Sequence, residues 1–437
     1  MNPQVVAEAI ATAFLDGTWS ATAMAKRAAR ALGQSERWLP ALARRTVVAF
    51  PEGAPRDRFE HLAAQLSKDK SLIQACAKRR WHLTFRTAPV AMRDVHADWK
   101  LPRLDTTGDV AAWLGLEIGD LLWFADELGL TRHQHDQRLS HYDRRWLPKR
   151  SGGMRLVEAP KRWLKDLQRR ILHELVDRIP PHEAAHGFRR RRGILTHAAA
   201  HAGRAVVLRM DLEDFFVSIP SARVAAVFHA AGYPLAVARV LTGLCTTYGP
   251  AERPRGSPAT AEEEVRALFR THRRYAVRHL PQGAPTSPAL ANLCVYGLDV
   301  RLSAAARAVD ATYTRYADDL VFSGDLSFAR QRFSTLVAGI VLEQGFVVQH
   351  RKTRLMRAAV RQEVTGLVVN RSPSIPRHDF ERWKAILHNC VCFGPASQNR
   401  DGRADFRAHL EGVVAWASHI QPARGAKLAK LLASIAW

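Results

Sequence analysis

The spacing of apolar positions changes period twice along the chain. Over residues 1 to about 95 it runs at three- and four-residue intervals around Phe14, Trp38, Leu42 and Leu62, the period of one-sided helices. The stretch Pro51 to Pro55 divides this Ala-rich region into two helical parts. Gly108 to Leu130, with Trp113, Leu114, Leu121, Leu122, Trp123 and Phe124, predicts a further helical run, and a His-rich polar connection covers His133 to His141. From Tyr142 the texture becomes strand-like. Trp146–Leu147–Pro148 and Arg155–Leu156–Val157 flank Ser151–Gly152–Gly153, which predicts a hairpin. An amphipathic basic helix is expected over Pro160–Ile179, then a short apolar strand over Ala205–Met210 that ends directly at Asp211. Ala222–Tyr248 reads as largely helical and residues 249–278 as a surface insertion. Helix over Pro288–Ala308, strand–turn–strand over Thr312–Ser323, helix over Phe328–Gln344 and strand over Phe346–His350 follow. The tail, Pro376–Trp437, returns to helical spacing with a break around Gly394–Gly402. Helices at both ends around a strand-containing middle predict an α+β fold.

Composition narrows the class. At 437 residues the chain can hold two or three domains, and 47% hydrophobic with 24% charged residues is ordinary for a globular protein. The charge balance is not: 65 Lys and Arg against 41 Asp and Glu leave +24. Such an excess favours a polyanion, either nucleic acid or an anionic membrane surface. It is concentrated in two stretches, net +10 over Lys149–Met210 and net +9 from Gly345 to the C-terminus. These are candidate walls of a nucleic-acid channel. No apolar run approaches the roughly 18 residues of a membrane span, and the first residues lack the basic start of a signal peptide. Cys76, Cys245, Cys294, Cys390 and Cys392 form no CxxC pair, so reduced thiols in the cytoplasm are expected rather than a zinc ribbon or disulfide framework.

The chemistry is carried by acids. Tyr316–Ala317–Asp318–Asp319 sits between two β-prone runs, and Asp211 ends another apolar strand, followed by Leu212–Glu213–Asp214–Phe215–Phe216. Adjacent acids at a turn can be merely solvated. A strand-end Asp beside an Asp-Asp hairpin also supplies the carboxylates that two-metal phosphoryl transfer requires. Mg²⁺ suits such a site because it takes a few carboxylates and completes its shell with water and phosphate oxygens.

In this order the motifs resemble a reverse transcriptase. Asp211 is similar to the family's first catalytic Asp and Tyr316–Asp319 to its YxDD box. Leu280 to Pro288, with Gln282 and Gly283, resembles the loop that positions template and nucleotide, and Arg155 to Pro160 and His186–Gly187–Phe188 resemble fingers motifs. Lys352–Thr353 resembles a later palm motif. The resemblance implies a right-hand polymerase. Fingers and palm, with an antiparallel sheet, would occupy 101–370, a helical thumb 371–437, and a helical N-terminal extension 1–100. It implies Asp211, Asp318 and Asp319 as catalytic residues, holding two Mg²⁺ ions together with Leu212, with Mn²⁺ able to replace them. Arg155, Asp214, Phe215, Phe216, Gln282, Gly283 and Lys352 would contact the incoming nucleotide, a deoxynucleoside triphosphate. Phe216 would exclude a ribose 2′-hydroxyl, and of the two Phe rings one is expected at this gate and one in the core.

Two further motifs resemble those of retron enzymes. Val364–Thr365–Gly366 is similar to the VTG motif, and His197 to His201 to an NAxxH box in which His197 replaces the usual Asn. The resemblance implies RNA contacts from His197, His201, Val364, Thr365 and Gly366, and the charged thumb residues Arg382 and Lys384 are expected to join them. It implies a cognate structured non-coding RNA as template, a 2′-hydroxyl of that RNA as primer, and a branched RNA–DNA product. A role in anti-phage defence beside an effector protein, with no membrane partner, completes the expectation. The alternative is another bacterial reverse transcriptase, of group II intron or abortive-infection type. A literal HExxH string, His182 to His186, raises a zinc protease only as a bare motif match; no third ligand follows it on a helix.

Overall fold

The computed structural model describes residues 1–51, 53–55, 59–81, 83, 91–127, 129–130, 140–148, 154–249, 273–326 and 331–437. Most of the expected insertion at 249–278, most of the His133–His141 connection and the Ser151–Gly153 hairpin tip lie outside the described residues. The chain forms two compact units. One comprises Met1–Pro180 and Ile219–Cys294, the other Pro181–Ser218 and Val295–Trp437.

The first unit opens with five helices, Pro3–Leu15, Ala21–Ala31, Leu39–Ala49, Phe59–Ser67 and Lys70–Lys78. Asn2 caps the first through the Gln4 N–H, with Pro3 in the first turn where a missing N–H costs nothing. That helix is buried from Val6 to Leu15 apart from a half-buried Glu8, and Phe14, Met24, Leu42, Leu62 and Leu72 close the core around it. The expected run over Gly108–Leu130 is two helices, Thr107–Leu114 and Ile118–Ala125, because Gly115 leaves helical geometry at φ +71°. Ala222–Tyr248 is likewise divided, into Ser221–Ala230 and Leu235–Cys245. Strands β1 (Tyr142–Pro148) and β2 (Met154–Pro160) pair antiparallel from Tyr142↔Pro160 to Pro148↔Met154. The basic helix that follows, Arg162–Glu174, buries Leu164, Leu167, Gln168 and Ile171.

The second unit is built on a four-stranded antiparallel sheet. Its strands are β3 (Val206–Asp211), β4 (Thr312–Tyr316), β5 (Asp319–Gly324) and β6 (Arg354–Arg357), in the order β4-β5-β3-β6. β7 (Glu363–Val364) and β8 (Leu367–Val368) form a separate small hairpin. The strand expected over Phe346–His350 joins no ladder: Val348 bridges Leu212 alone, and the chain turns into a short 3₁₀ segment at His350–Lys352. Three C-terminal helices, Arg377–Phe393, Phe406–Ile420 and Pro422–Ala433, share one apolar core with the sheet, including Val207, Val321, Val364, Leu387, Leu410 and Leu428. Among the described residues no helix is long and apolar enough to cross a membrane.

Candidate active site

The acids meet at one end of the four-stranded sheet. Asp211 is the last residue of β3, Asp319 the first of β5, and the register sets them directly opposite. β4 and β5 close at Tyr316↔Asp319, so Ala317 and Asp318 are the whole loop of a two-residue hairpin. Backbone bonds lock this end: the Leu212 N–H donates to the Asp318 carbonyl at 2.9 Å and the Gln349 N–H to the Asp211 carbonyl at 2.7 Å. Asp211 and Asp319 are only 7% and 6% exposed. Burial pushes the Asp319 carboxyl up to about 6, against the nearby Arg209, with Asp318 and Asp211 adding repulsion. Asp318 is raised by burial first and then by the charge of Asp211. Crowded buried carboxylates of this kind favour a bound cation.

Two side chains supply positive charge there. Lys352 Nζ lies 2.9 Å from Asp211 Oδ1, and Arg209 Nε 2.8 Å from Asp319 Oδ1. Arg209 shares a strand face with Asp211 by the two-residue period. As the side chains stand, no three His, Cys, Asp or Glu groups among the described residues gather around one point that could hold a metal. The donor set nevertheless fits a hard divalent cation: all-oxygen ligands on adjacent strands, with Lys352 and Arg209 as exchangeable countercharges.

The turn is held from behind by residues the sequence pattern did not single out. Arg315, fully buried, donates through Nε and Nη2 to the two Asp299 oxygens at 2.8 and 2.7 Å, and through Nη1 to the Ala317 carbonyl at 3.0 Å. Tyr313 donates its hydroxyl to the same Asp299 at 2.8 Å. The only signal in the sequence is a lone Arg inside an apolar strand. Gly187 packs on the outer side, where a Cβ would come within 2.9 Å of the Ala317 nitrogen. The His186 N–H donates to the Arg315 carbonyl at 2.8 Å.

This arrangement has known counterparts. The reverse transcriptase (RNA-dependent DNA polymerase) family matches residues 147–375. The chain is 41% identical to the retron Mx65 reverse transcriptase of Myxococcus xanthus over 83% of this chain and 81% of that protein. The chain belongs to the retron reverse transcriptases. It is 37% identical to the Mx162 enzyme of the same organism, over 74% of this chain and 66% of the other. Against the Escherichia coli Ec86 enzyme it is 31% identical over 61% and 71%. It is thus an RNA-directed DNA polymerase, of a family that uses divalent metal ions.

The remaining residues of this reverse transcriptase divide by environment. Phe215 is buried against Phe346, with Arg315 over its ring, whereas Phe216 is half-buried with its ring centroid 6.3 Å from Phe188. Asp214 takes a left-handed backbone at φ +48° and turns the chain between them and Asp211. In the first unit Arg155 is exposed on β2, and the Gln282 carbonyl accepts from the Glu158 N–H at 2.8 Å. Gly283, at φ +131°, lies so near β2 that a Cβ would sit 3.1 Å from the Glu158 carbonyl. Glu158 is itself buried against His279, Oε2 to Nε2 2.9 Å.

Three expected RNA contacts are overturned. His197 and His201 are 0% exposed: His201 bonds Ser323 and Thr314, each at 2.7 Å, and His197 Nδ1 meets Thr314 Oγ1 at 2.6 Å. They brace β4 and β5 from behind and present no surface to RNA. Val364 is also 0% exposed, in the core beneath the β7–β8 turn. Thr365 and Gly366 form that turn, at φ +46° and +82°, the two positive values a tight hairpin of this length prefers. Gly366, Arg382 and Lys384 are exposed. His182–His186 is not helical, so its two imidazoles do not share the helix face a zinc protease needs.

Proposed function

We propose that this reverse transcriptase copies a cognate structured non-coding RNA into single-stranded DNA, leaving a branched RNA–DNA product, by two-metal phosphoryl transfer at Asp211, Asp318 and Asp319. The observation that carries the site is the register pairing of Asp211 with Asp319, with Asp318 in the adjoining loop. The retron relatives support the RNA template and the class of product. In this reading 101–370 are fingers and palm, 371–437 a helical thumb and 1–100 an extension. When bound, two Mg²⁺ ions supply the charge that lowers the pKa of the attacking hydroxyl and stabilises the leaving pyrophosphate; Mn²⁺ suits the same oxygens.

The protein's own groups divide the remaining work. Asp211, Asp318 and Asp319 hold the cations, with the Leu212 position beside them. Lys352, released from Asp211, offers a proton and a positive charge to the leaving phosphate. Arg155 binds triphosphate oxygens from β2, while Gln282 and Gly283 line the nascent pair. Phe216 and the Asp214 turn meet the sugar. Thr365, Gly366, Arg382 and Lys384 contact RNA. Phage defence with an effector protein is the cellular output.

The test is to express the gene with its native flanking DNA and characterise the nucleic acid that co-purifies. A discrete species that RNase trims to single-stranded DNA of defined length is expected. Asp319→Ala should leave the RNA bound and abolish the DNA; DNA from that variant would remove the metal assignment. RNA alone from the wild type would remove the retron product.

A further inference from the structure

Every tryptophan but one is engaged by its surroundings. Trp19 meets Phe50, Trp38 meets Trp81, Trp99 stacks on His96, Trp123 meets His141, Trp146 meets Tyr275 and Trp383 meets Trp416. Trp113 donates to Glu174, and Trp437 lies under Arg407. Trp163 is 76% exposed, more than any other large aromatic among the described residues, with Phe393 next at 73%. Among the described residues it has no ring, cation or hydrogen-bond partner.

Its place explains what it is available for. It stands in the first turn of the helix Arg162–Glu174, immediately after the strand that carries Arg155. Leu164, Leu167 and Ile171 fix that helix to the unit's core, so Trp163 is held out on a rigid support. Arg162, beside it in the chain, and Arg169 and Arg170 further along the same helix are exposed, as is Asp166 between them. The helix's two carboxylates are each occupied by an arginine, Asp166 with Arg169 and Glu174 with Arg170, both at 3.0 Å. An indole that no protein group covers, set among arginines, matches the two parts of a single strand: base face and phosphate. An apolar protein partner would desolvate Arg162 and the two exposed ion pairs, whereas phosphate can exchange for their carboxylates.

We infer that Trp163 is a base-stacking platform for single-stranded RNA, with Arg162, Arg169 and Arg170 as its phosphate contacts. This rests on the reading that the enzyme copies RNA. The surface is sequence-tolerant, since every base has a stacking face.

The test uses the full chain and fluorescent oligoadenylate. Trp163→Ala should weaken binding by roughly 5- to 100-fold, the range of one lost stack, and raise the KM for a primed RNA template while kcat stays unchanged. Trp163→Phe should restore most of the affinity and Trp163→Leu should not. An abasic oligonucleotide should bind wild type and Trp163→Ala equally. Equal affinity for oligoadenylate across all variants would overturn the inference, as would rescue by Leu, which marks an apolar docking site. Unaltered thermal midpoints confirm folded variants, as expected at so exposed a position. Failure of the polymerase reading is distinct: the wild type would then extend no primed RNA.

Discussion

Arg315 carries its charge at zero exposure, and what makes that tolerable is the pair of bonds to Asp299 and the third to Ala317. Removing one partner strands the other in a dry interior. Asp299→Ala is therefore expected to destabilise the second unit by about 3–5 kcal/mol, read as a lowered urea midpoint, whereas Arg301→Ala, at the half-exposed pair with Glu343, should cost less than about 1 kcal/mol. Phe215 and Phe216 show how neighbours diverge. Phe215 fills the core and Phe216 is half-buried. Phe216→Ala should admit ribonucleotides about tenfold more readily or better, measured as the ratio of kcat/KM for the two sugars. Unchanged discrimination would exclude the gate.

The β4–β5 hairpin carries Asp318 and Asp319, and it is strained. Ala317 takes φ +55°, a left-handed geometry that costs a non-glycine residue about 1–2 kcal/mol. Arg315 and the close approach of Gly187 hold it there. Gly187→Ala would press a methyl against the Ala317 nitrogen and the Tyr316 ring, displacing Asp318. The expected result is a loss of kcat of about a hundredfold with far less loss of stability, checked by pairing primer extension with thermal unfolding. The hairpin's strand–turn–strand form was legible in sequence, whereas the single helix expected before it over Pro288–Ala308 is divided at Val295 into Ser287–Cys294 and Tyr296–Arg307. The hairpin's strain was not legible, because the residue at the left-handed position is Ala, which gives no turn signal of its own.

Across the molecule, charge and protonation set the working conditions. His186, His197 and His201 are buried together behind the hairpin. Burial first, and then neighbouring cationic groups, lower His186 to about 4 and His201 to about 3. His197 is lowered too, by burial and then by its histidine neighbours. Each stays neutral when folded and takes a proton near pH 6.5 when unfolded. The unfolded state thus binds more protons between about 6.5 and the folded values, and stability is lost as pH falls through that window, by up to about 1.4 kcal/mol per pH unit for each group. Unfolding midpoints should drop between pH 6.5 and 4, and His201→Gln should shallow the slope. A slope that His201→Gln leaves unchanged would mean that this ring takes up its proton alike in the folded and unfolded states.

The linear sequence alone set out the candidate acids in order, Asp211 at a strand end and then the Asp318–Asp319 turn, and a charge balance suited to a polyanion; resemblance to the family added Lys352. The placing of the acids and the basic balance follow from local period, turn chemistry and composition, all written along the chain. Only the tertiary structure decided which of two adjacent Phe rings is buried, that Arg209 and Lys352 face the acids, and that His197, His201 and Val364 are internal supports. Those outcomes depend on burial against residues more than a hundred positions away, such as Thr314 and Ser323 for His201. Exposure is a property of packing, and a motif carries no record of which of its side chains the fold will turn inward.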